Sequence, residues 1–264
     1  MKKDNINAYA ESAWGVIRQE FVRVFCGYRW YLTVILIVVL WFFLSTERNS
    51  NSAVKSVEVI VLLSNEAKLL ILAGALPVAT SFSSDWQNSY IRSAVIRSGS
   101  RAYITGKLTA FCLITFITNF TGMILFTVIK GITGGFGFDS IGEYYLFYDI
   151  ISGRFPFLYC IIQTYLYSIV NTMYALFGYV VSAILPNTFV AVMAPMFMGI
   201  MIEEITSHGI AQIYPYRISV GNDYLSYNTF LNLLLSTIII IMYMIIAAVL
   251  FKKITERRIR NEIV

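Results

Sequence analysis

Five long runs without a charged residue constrain this sequence more than any other feature. They cover residues 30–46, 69–84, 108–129, 155–202 and 224–251. A helix needs roughly 20 apolar residues to cross the hydrocarbon core of a bilayer. The fourth run is long enough for two crossings, and Leu185-Pro186-Asn187 provides a natural break within it. The pattern predicts six transmembrane helices with both termini on the same side.

The basic residues are distributed unevenly between the connections of these helices. The N-terminus, residues 85–107 and the C-terminal tail together hold 14 of the 20 lysines and arginines. The positive-inside rule counts these two residue types and therefore assigns this side to the cytoplasm. We expect both termini to be cytoplasmic.

The composition indicates the same class of protein. The chain is 58% hydrophobic and only 13% charged, which is typical of an integral membrane protein. The net charge of +5 is explained by the inner membrane face, so we expect the lipid bilayer as a partner and no nucleic acid. Three scattered cysteines, Cys26, Cys112 and Cys160, favour neither a disulfide framework nor a metal cluster.

The predicted fold is an all-α integral membrane protein with three parts. Residues 1–29 form a cytoplasmic N-terminus, residues 30–251 the six-helix transmembrane domain, and residues 252–264 a basic cytoplasmic tail. The expected spans are 30–46, 67–84 with a kink at Pro77, 107–129, 156–184, 187–204 and 229–251. The expected outer segments are 47–66, with a short helix near Val57–Leu63, 131–155 and 205–228.

The N-terminal part contains an amphipathic pattern over residues 8–28. One helical face carries Trp14, Ile17, Phe21, Val24, Phe25 and Tyr28, and the rest carries Glu11, Arg18, Gln19, Glu20 and Arg23. We expect this helix to lie in the inner membrane interface before the first span. The alternative is that it packs on the protein's own inner surface.

The only sizeable inner connection, residues 85–107, is predicted to be helical. Ser84 is a suitable N-cap with Gln87 at the capping-box spacing, and Gly99 is a suitable residue to end the helix. Its basic residues alone could serve membrane topology and lipid headgroups. A capped helix between two spans could, in addition, transmit force from a cytosolic partner to the membrane domain.

The order of residues in this connection is distinctive. It reads Phe82-Ser-Ser-Asp85, then Ile91-Arg92, then Arg97-Ser-Gly-Ser-Arg101-Ala-Tyr103-Ile-Thr-Gly-Lys107. This order resembles the inner loop of type-2 ABC exporter permeases, in which an acidic residue, a short helix, a small-residue segment with Arg and a Lys link spans 2 and 3. The layout of the whole chain is also similar. The family usually has Glu near Asp85 and often Gly a few residues on, where this chain has Asn88 and Ser89.

The resemblance implies how such a chain would work. Residues 84–101 would be a coupling helix seated in a cleft of a cytosolic ATPase, with Asp85, Trp86, Tyr90, Arg92, Arg97 and Arg101 as the coupling residues. The N-terminal helix would be the connecting helix, and Tyr214-Pro215-Tyr216 would belong to short outer helices at the exit. Two permease subunits, identical or related, would work above two ATPases, with Pro77 and Pro195 as pliable points of spans 2 and 5.

The sequence indicates no catalytic residue. Gly106-Lys107 lacks the glycine and the hydroxyl residue of a phosphate-binding loop, so ATP and magnesium are expected on the separate ATPase, and no cofactor in this chain. Glu203, Glu204 and His208 are interpreted as the outer end of span 5 rather than a metal site. Asn119, Gln163 and Asn171 are candidates for a translocation lining, the alternative being hydrogen bonds between helices.

The sequence thus predicts the permease subunit of an ATP-driven exporter in a bacterial cytoplasmic membrane. The expected cargo class is a peptide, an antibiotic or another amphipathic compound, and the sequence does not select among these. Two alternatives belong to other classes: a membrane-embedded enzyme or protease, and a channel or assembly factor that does not use ATP.

Overall fold

The computed structural model describes residues 2–46, 52–62, 68–137, 155–208, 214–220 and 229–262, and the regular structure of these ranges is entirely helical. In chain order the helices are α1 (Lys2–Phe25), α2 (Tyr28–Thr46), α3 (Ala53–Leu62), α4 (Lys68–Ala79), α5 (Ser81–Gln87), α6 (Tyr90–Ser98), α7 (Ser100–Gly134), α8 (Pro156–Ile184), α9 (Thr188–Ser207), α10 (Pro215–Val220) and α11 (Thr229–Glu262). The prediction of an all-α protein is confirmed.

Five of these helices, α2, α7, α8, α9 and α11, are long and apolar enough to cross a membrane. Helices α4 and α5 pass the same test together, although they meet at a bend of 43°. The count is therefore six if this bent pair is one span. The bend lies at Thr80, three residues beyond the predicted kink at Pro77.

Several predicted boundaries shift. The span predicted at 156–184 has those bounds, and the short helix predicted near Val57 is present as α3. The helix that contains the last predicted span does not end at residue 251, because α11 continues as one helix through the basic tail to Glu262. The N-terminal helix ends at Phe25, and Tyr28 begins α2 instead. The predicted outer segment 131–155 falls largely outside the described residues.

Helix α8 lies at the centre of the bundle, since most of its length is buried against its neighbours. Gly178 allows α8 to approach α9 closely. It lies against the backbone of Pro195, and any Cβ at position 178 would overlap that backbone. Helix α3 is also buried, with Val54, Val57 and Ile60 fully inaccessible between α2, α7 and α8.

Helix α1 packs along α7. This agrees with the alternative prediction that the N-terminal helix packs on the protein itself. Gly106 allows this approach, because a Cβ there would come within 2.8 Å of the Val16 side chain. Trp14 stays 65% exposed, so part of the predicted apolar face is not used by the bundle. Its location in a membrane interface stays a prediction. Glu20, predicted on the polar face, is instead buried, because it faces α7.

Candidate functional site

The segment between α4 and α7 is the candidate site, and it consists of two short helices rather than one. Helices α5 and α6 are separated by Asn88 and Ser89, and Ser89 has a left-handed backbone with φ of 56°. The prediction that Ser84 caps a single helix is wrong, because Ser84 lies inside α5. Gly99 does end α6, with φ of 79°, a conformation that favours glycine.

A buried ionic cluster holds this segment against α1 and α7. The Lys107 Nζ lies 2.6 Å from Glu20 Oε1 and 2.6 Å from Asp85 Oδ2. The Tyr103 hydroxyl donates a hydrogen bond of 2.8 Å to the same Asp85 oxygen, and Arg23 lies 3.4 Å from the other. Lys107 is 2% exposed, so the ammonium is compensated by protein groups rather than by water. We call these five residues the ionic cluster.

The position of the cluster follows from local sequence. Glu20 lies four residues after Val16, on the face of α1 that Gly106 admits against α7. Lys107 directly follows that glycine, so its side chain reaches the carboxylate of Glu20. A buried charge is tolerated only when it is paired and hydrogen-bonded, and the cluster satisfies that requirement for Lys107 and Asp85.

An aromatic cluster joins the same segment to the long helices. Tyr179 of α8 stacks between Phe111 of α7 and Phe251 of α11, with ring centroids 4.1 Å and 4.8 Å away. Phe82 of α5 contacts both Tyr179 and Phe251, and Trp86 lies 5.9 Å from Phe82. Aromatic pairs at these distances add to the stability that burial alone provides. Through Phe82, helix α5 is therefore packed against α8 and α11 at once.

Polar contacts attach α5 to the tight turn between α8 and α9. The Gln87 side chain donates to the carbonyl of Pro186 at 3.0 Å and accepts from the Thr188 hydroxyl at 3.1 Å. The turn itself is capped by Asn187, whose side chain accepts from the backbone N–H of Phe189. Movement of α5 would therefore act directly on the start of α9.

The end of α11 contributes one further contact. Arg258 donates to the carbonyl oxygens of Ala183 and Ile184, which are the last residues of α8, at 3.0 Å each. Its guanidinium carbon also lies 4.5 Å from the centre of the Trp86 ring. The predicted tail thus belongs to the bundle and contacts the α5–α6 segment. The term basic end is used below for this end of the bundle, which holds the contacts of Arg258 and the ionic cluster.

The six predicted coupling residues occupy three different environments. Asp85 is buried in the ionic cluster, so its carboxylate holds α5 in position rather than facing a partner. Trp86 and Tyr90 are half-buried, and Tyr90 accepts hydrogen bonds from Gln19 and Arg97. The three exposed members are Arg92, Arg97 and Arg101. Beside them, Ile96 is 77% exposed.

The three candidate lining residues are all buried within this chain. Asn119 lies directly over Gly74 of α4 and donates to the carbonyl of Thr115 at 3.1 Å. Gln163 donates to the Tyr159 hydroxyl at 3.4 Å, and that hydroxyl donates to Glu58 at 3.0 Å. The two amide contacts lie within α7 and within α8, so of these contacts only that of Tyr159 with Glu58 joins two helices, as the alternative predicted. Asn171 is 2% exposed and has an amide nitrogen without a partner in the described residues.

A second buried ion pair lies at the other end of the bundle, which we call the opposite end. Lys68, the first residue of α4, forms a salt bridge with Glu203, one turn before the end of α9. Both side chains are close to fully buried. The position of Glu203 close to the end of α9 agrees with its interpretation as an end of span 5, but its side chain is buried in an ion pair rather than exposed. Glu204 and His208 lie 3.8 Å apart and are exposed.

Comparison of the chain with protein-family models, curated proteins and solved structures finds no match. The family therefore stays a prediction from the sequence.

The sequence interpretation overlooked Glu20, Lys68, Lys107 and Glu203 as partners in buried contacts. A signal for three of them was present, because Lys68, Lys107 and Glu203 each stand immediately beside an uncharged run. A charge at the end of a span is close enough to the low-dielectric region to need a partner. Glu20 gave no such signal, since only the packing of α1 on α7 removes it from water.

Proposed function

We propose that this chain is the transmembrane permease subunit of an ATP-driven ABC transporter, with the α5–α6 segment as the element that receives force from a cytosolic ATPase. The observation that supports the proposal is the set of contacts of this segment. It joins α1 and α7 through the ionic cluster, α8 and α11 through the aromatic cluster, and α9 through Gln87.

These contacts are what a mechanical coupling element needs. A segment that only connected two spans would need contacts to those spans alone. Packed cores and ionic networks shift between discrete arrangements rather than deforming continuously. A push on α6 would therefore move α5, and α5 would move the first turn of α9 through Gln87 and Thr188.

The outer surface of the segment has a chemistry suited to an acidic cleft. Arg92, Arg97 and Arg101 are exposed and form no ion pair with the described part of the chain. Ile96, exposed between them, would supply apolar area at the centre of such a contact. Aromatic, aliphatic and Arg side chains are typical of small interfaces with a few dominant residues.

In the proposed cycle, ATP binding closes the ATPase dimer beneath two permease subunits, identical or related. The α5–α6 segment is displaced, and α4 and α9 change their spacing around Pro77 and Pro195, which interrupt the hydrogen-bond ladders of these helices. ATP and magnesium stay on the ATPase, and this chain supplies the path across a bacterial cytoplasmic membrane. The cargo class we favour is an amphipathic peptide or antibiotic.

The test is co-purification of the tagged chain from its own cells in mild detergent. An ATPase should accompany the chain, and Arg92→Glu with Arg101→Glu should weaken that association by roughly 30-fold or more, since truncating one dominant contact commonly costs about 2 kcal/mol. The matched control is Arg260→Glu, an exposed arginine on the part of α11 that follows Arg258.

Three outcomes would overturn the proposal. The purified chain could hydrolyse ATP without another polypeptide, which would favour an enzyme. It could conduct ions in a planar bilayer without ATP, which would favour a channel. The control variant could lose the ATPase while the double variant retains it, which would assign docking to another surface.

A further inference from the structure

A cavity of about 620 Å³ lies at the basic end, between α1, the α5–α6 segment and α7. Its polar lining includes Gln19, Glu20, Arg23, Tyr90, Arg97 and Lys107. Volumes between roughly 300 and 1,000 Å³ are typical of sites for small ligands. The cavity is therefore large enough for a polar headgroup or a metabolite.

The charge of the lining favours an anion. Three cations, Arg23, Arg97 and Lys107, face two carboxylates, Glu20 and Asp85. Lys107 is compensated by both carboxylates within the ionic cluster, and Arg23 shares them at 3.4 Å and 3.6 Å. Arg97 forms no ion pair among the described residues, so the positive charge of the cavity is uncompensated there.

The Arg97 side chain is held in place for such a contact. Its Nε donates to the carbonyl of Ser93 and its Nη2 donates to the Tyr90 hydroxyl at 3.0 Å, with the guanidinium carbon 5.7 Å from the Tyr90 ring centre. These contacts use two nitrogens, and Nη1 forms no hydrogen bond or ion pair with the described residues. An ordered guanidinium loses less entropy on binding a phosphate than a free side chain does.

A second, independent feature is the carboxylate of Glu20, a residue that lines the cavity. Glu20 is nine-tenths buried, yet its Oε2 has no hydrogen-bond donor among the described residues. A buried acceptor without a donor costs free energy, so it indicates a missing partner. The ligand that fits both features carries a phosphate for the arginines and a hydroxyl for Glu20.

From this geometry we infer that the cavity binds a hydroxyl-bearing phosphate ester, such as the headgroup of phosphatidylglycerol. The basic end is the cytoplasmic end by the positive-inside prediction, where basic pockets between helices bind anionic headgroups. A soluble glycerol phosphate carries the same groups, and the experiment separates the two sources. The inference does not depend on the proposed transport function.

The test uses the full chain in detergent, stripped of lipid, with no other polypeptide present. Phosphatidylglycerol, phosphatidylcholine and glycerol 3-phosphate are each titrated, and bound ligand is counted by native mass spectrometry. We expect the first to bind tightest. Arg97→Gln should weaken its binding about tenfold, because a hydrogen bond to a charged group is lost.

Arg92→Gln is the matched control, since Arg92 is exposed on the same helix but does not line the cavity. The affinity of the Arg92→Gln variant for phosphatidylglycerol should stay within about twofold of the parent's. A thermal unfolding curve for each variant checks that it is folded. Equal binding of the two phospholipids, or equal loss in Arg97→Gln and Arg92→Gln, would overturn the inference. Glycerol 3-phosphate binding as tightly as the lipid would identify a soluble ligand.

Discussion

The two ends of the bundle are held by buried charges of different design. At the basic end, Lys107 is shared by two carboxylates from different helices, and Tyr103 and Arg23 bind the same carboxylates. At the opposite end, Lys68 and Glu203 form a single pair. The first arrangement ties three elements together through shared charges, while the ion pair described at the opposite end joins α4 and α9, with the centre of the Tyr174 ring of α8 lying 6.0 Å from the Lys68 Nζ.

This difference indicates where the bundle can change shape. Separating α5 from α7 would break several ionic contacts and leave more than one buried charge without a partner, which is costly. Separating α4 from α9 at the opposite end would break one pair, whose two charges could both gain water in an open state. We therefore expect the basic end to move as a unit and the opposite end to open.

The largest expected effect is the loss of Lys107. Lys107→Met would remove the buried cation between Glu20 and Asp85 and leave them only the more exposed Arg23, at 3.6 Å and 3.4 Å. Removing one partner of a buried ionic contact costs about 3–5 kcal/mol, and here two carboxylates are affected. The free energy of unfolding, measured by denaturant titration in detergent, should fall by at least about 3 kcal/mol.

Lys253→Met is the control for this change, because Lys253 is exposed on α11. Its unfolding free energy should stay within about 0.5 kcal/mol of the parent, as for surface positions in general. If both variants lose the same stability, the ionic cluster is not what holds the basic end.

The second prediction contrasts single and double changes at the opposite end. Lys68→Met alone should destabilise the protein by about 3 kcal/mol, because Glu203 is left buried without its cation. Adding Glu203→Leu should recover most of that loss, since apolar replacement of a whole buried pair is often neutral. The same strategy at the basic end, Lys107→Met with Glu20→Leu, should recover less, because Asp85 then keeps only the exposed Arg23 as its cation, 3.4 Å away. Equal recovery of stability by the double variants at both ends would contradict the expected difference between the two ends.

The sequence predicted the helices well because a span is a local property. Uncharged runs of the required length identified the long helices, and Pro186 was identified as the break between α8 and α9. Continuation of α11 through the basic tail was missed, since charged residues can extend a helix beyond the apolar region. The break at Ser89 was also missed, because a left-handed serine has no distinctive sequence signal.

The candidate site was predicted only in part, because burial of a charge depends on packing. The charge pattern predicted the exposed arginines of α6. The pairing of Asp85 with Lys107 forms only because the two ends of the connection 85–107 lie side by side in the fold. The topology could have suggested this pair, since charges of opposite sign flank spans 2 and 3 on the same side. No pattern in α1 distinguished Glu20 from its exposed neighbours.

The third prediction concerns the hairpin of α8 and α9, which runs from the basic end to Glu203. Gly178→Ala would force its Cβ against the backbone of Pro195, so the two helices must separate. Overpacking of this kind costs about 1–3 kcal/mol, and backbone atoms cannot move aside as a flexible side chain can. Gly15→Ala is the control, since a Cβ there meets no atom, and it should be neutral or stabilising by up to about 1 kcal/mol.

The smallest expected effect tests whether the tail helix belongs to the basic end. Arg258→Gln would remove the charge that lies over Trp86 and weaken the contacts to the carbonyls of Ala183 and Ile184. The site is half-exposed, so water would replace part of the loss, and we expect a decrease of about 1 kcal/mol in unfolding free energy. Arg260→Gln, an exposed change on the same helix, should have no measurable effect.

Because Trp86 belongs to α5, Arg258→Gln should also increase the accessibility of the Trp86 indole to a soluble quencher. This is measured in a background where the other tryptophans are replaced by phenylalanine. A protein in which both arginine variants leave stability and quenching unchanged would have a tail that is independent of the basic end. The rigid unit would then be confined to α1, α5, α7 and α8.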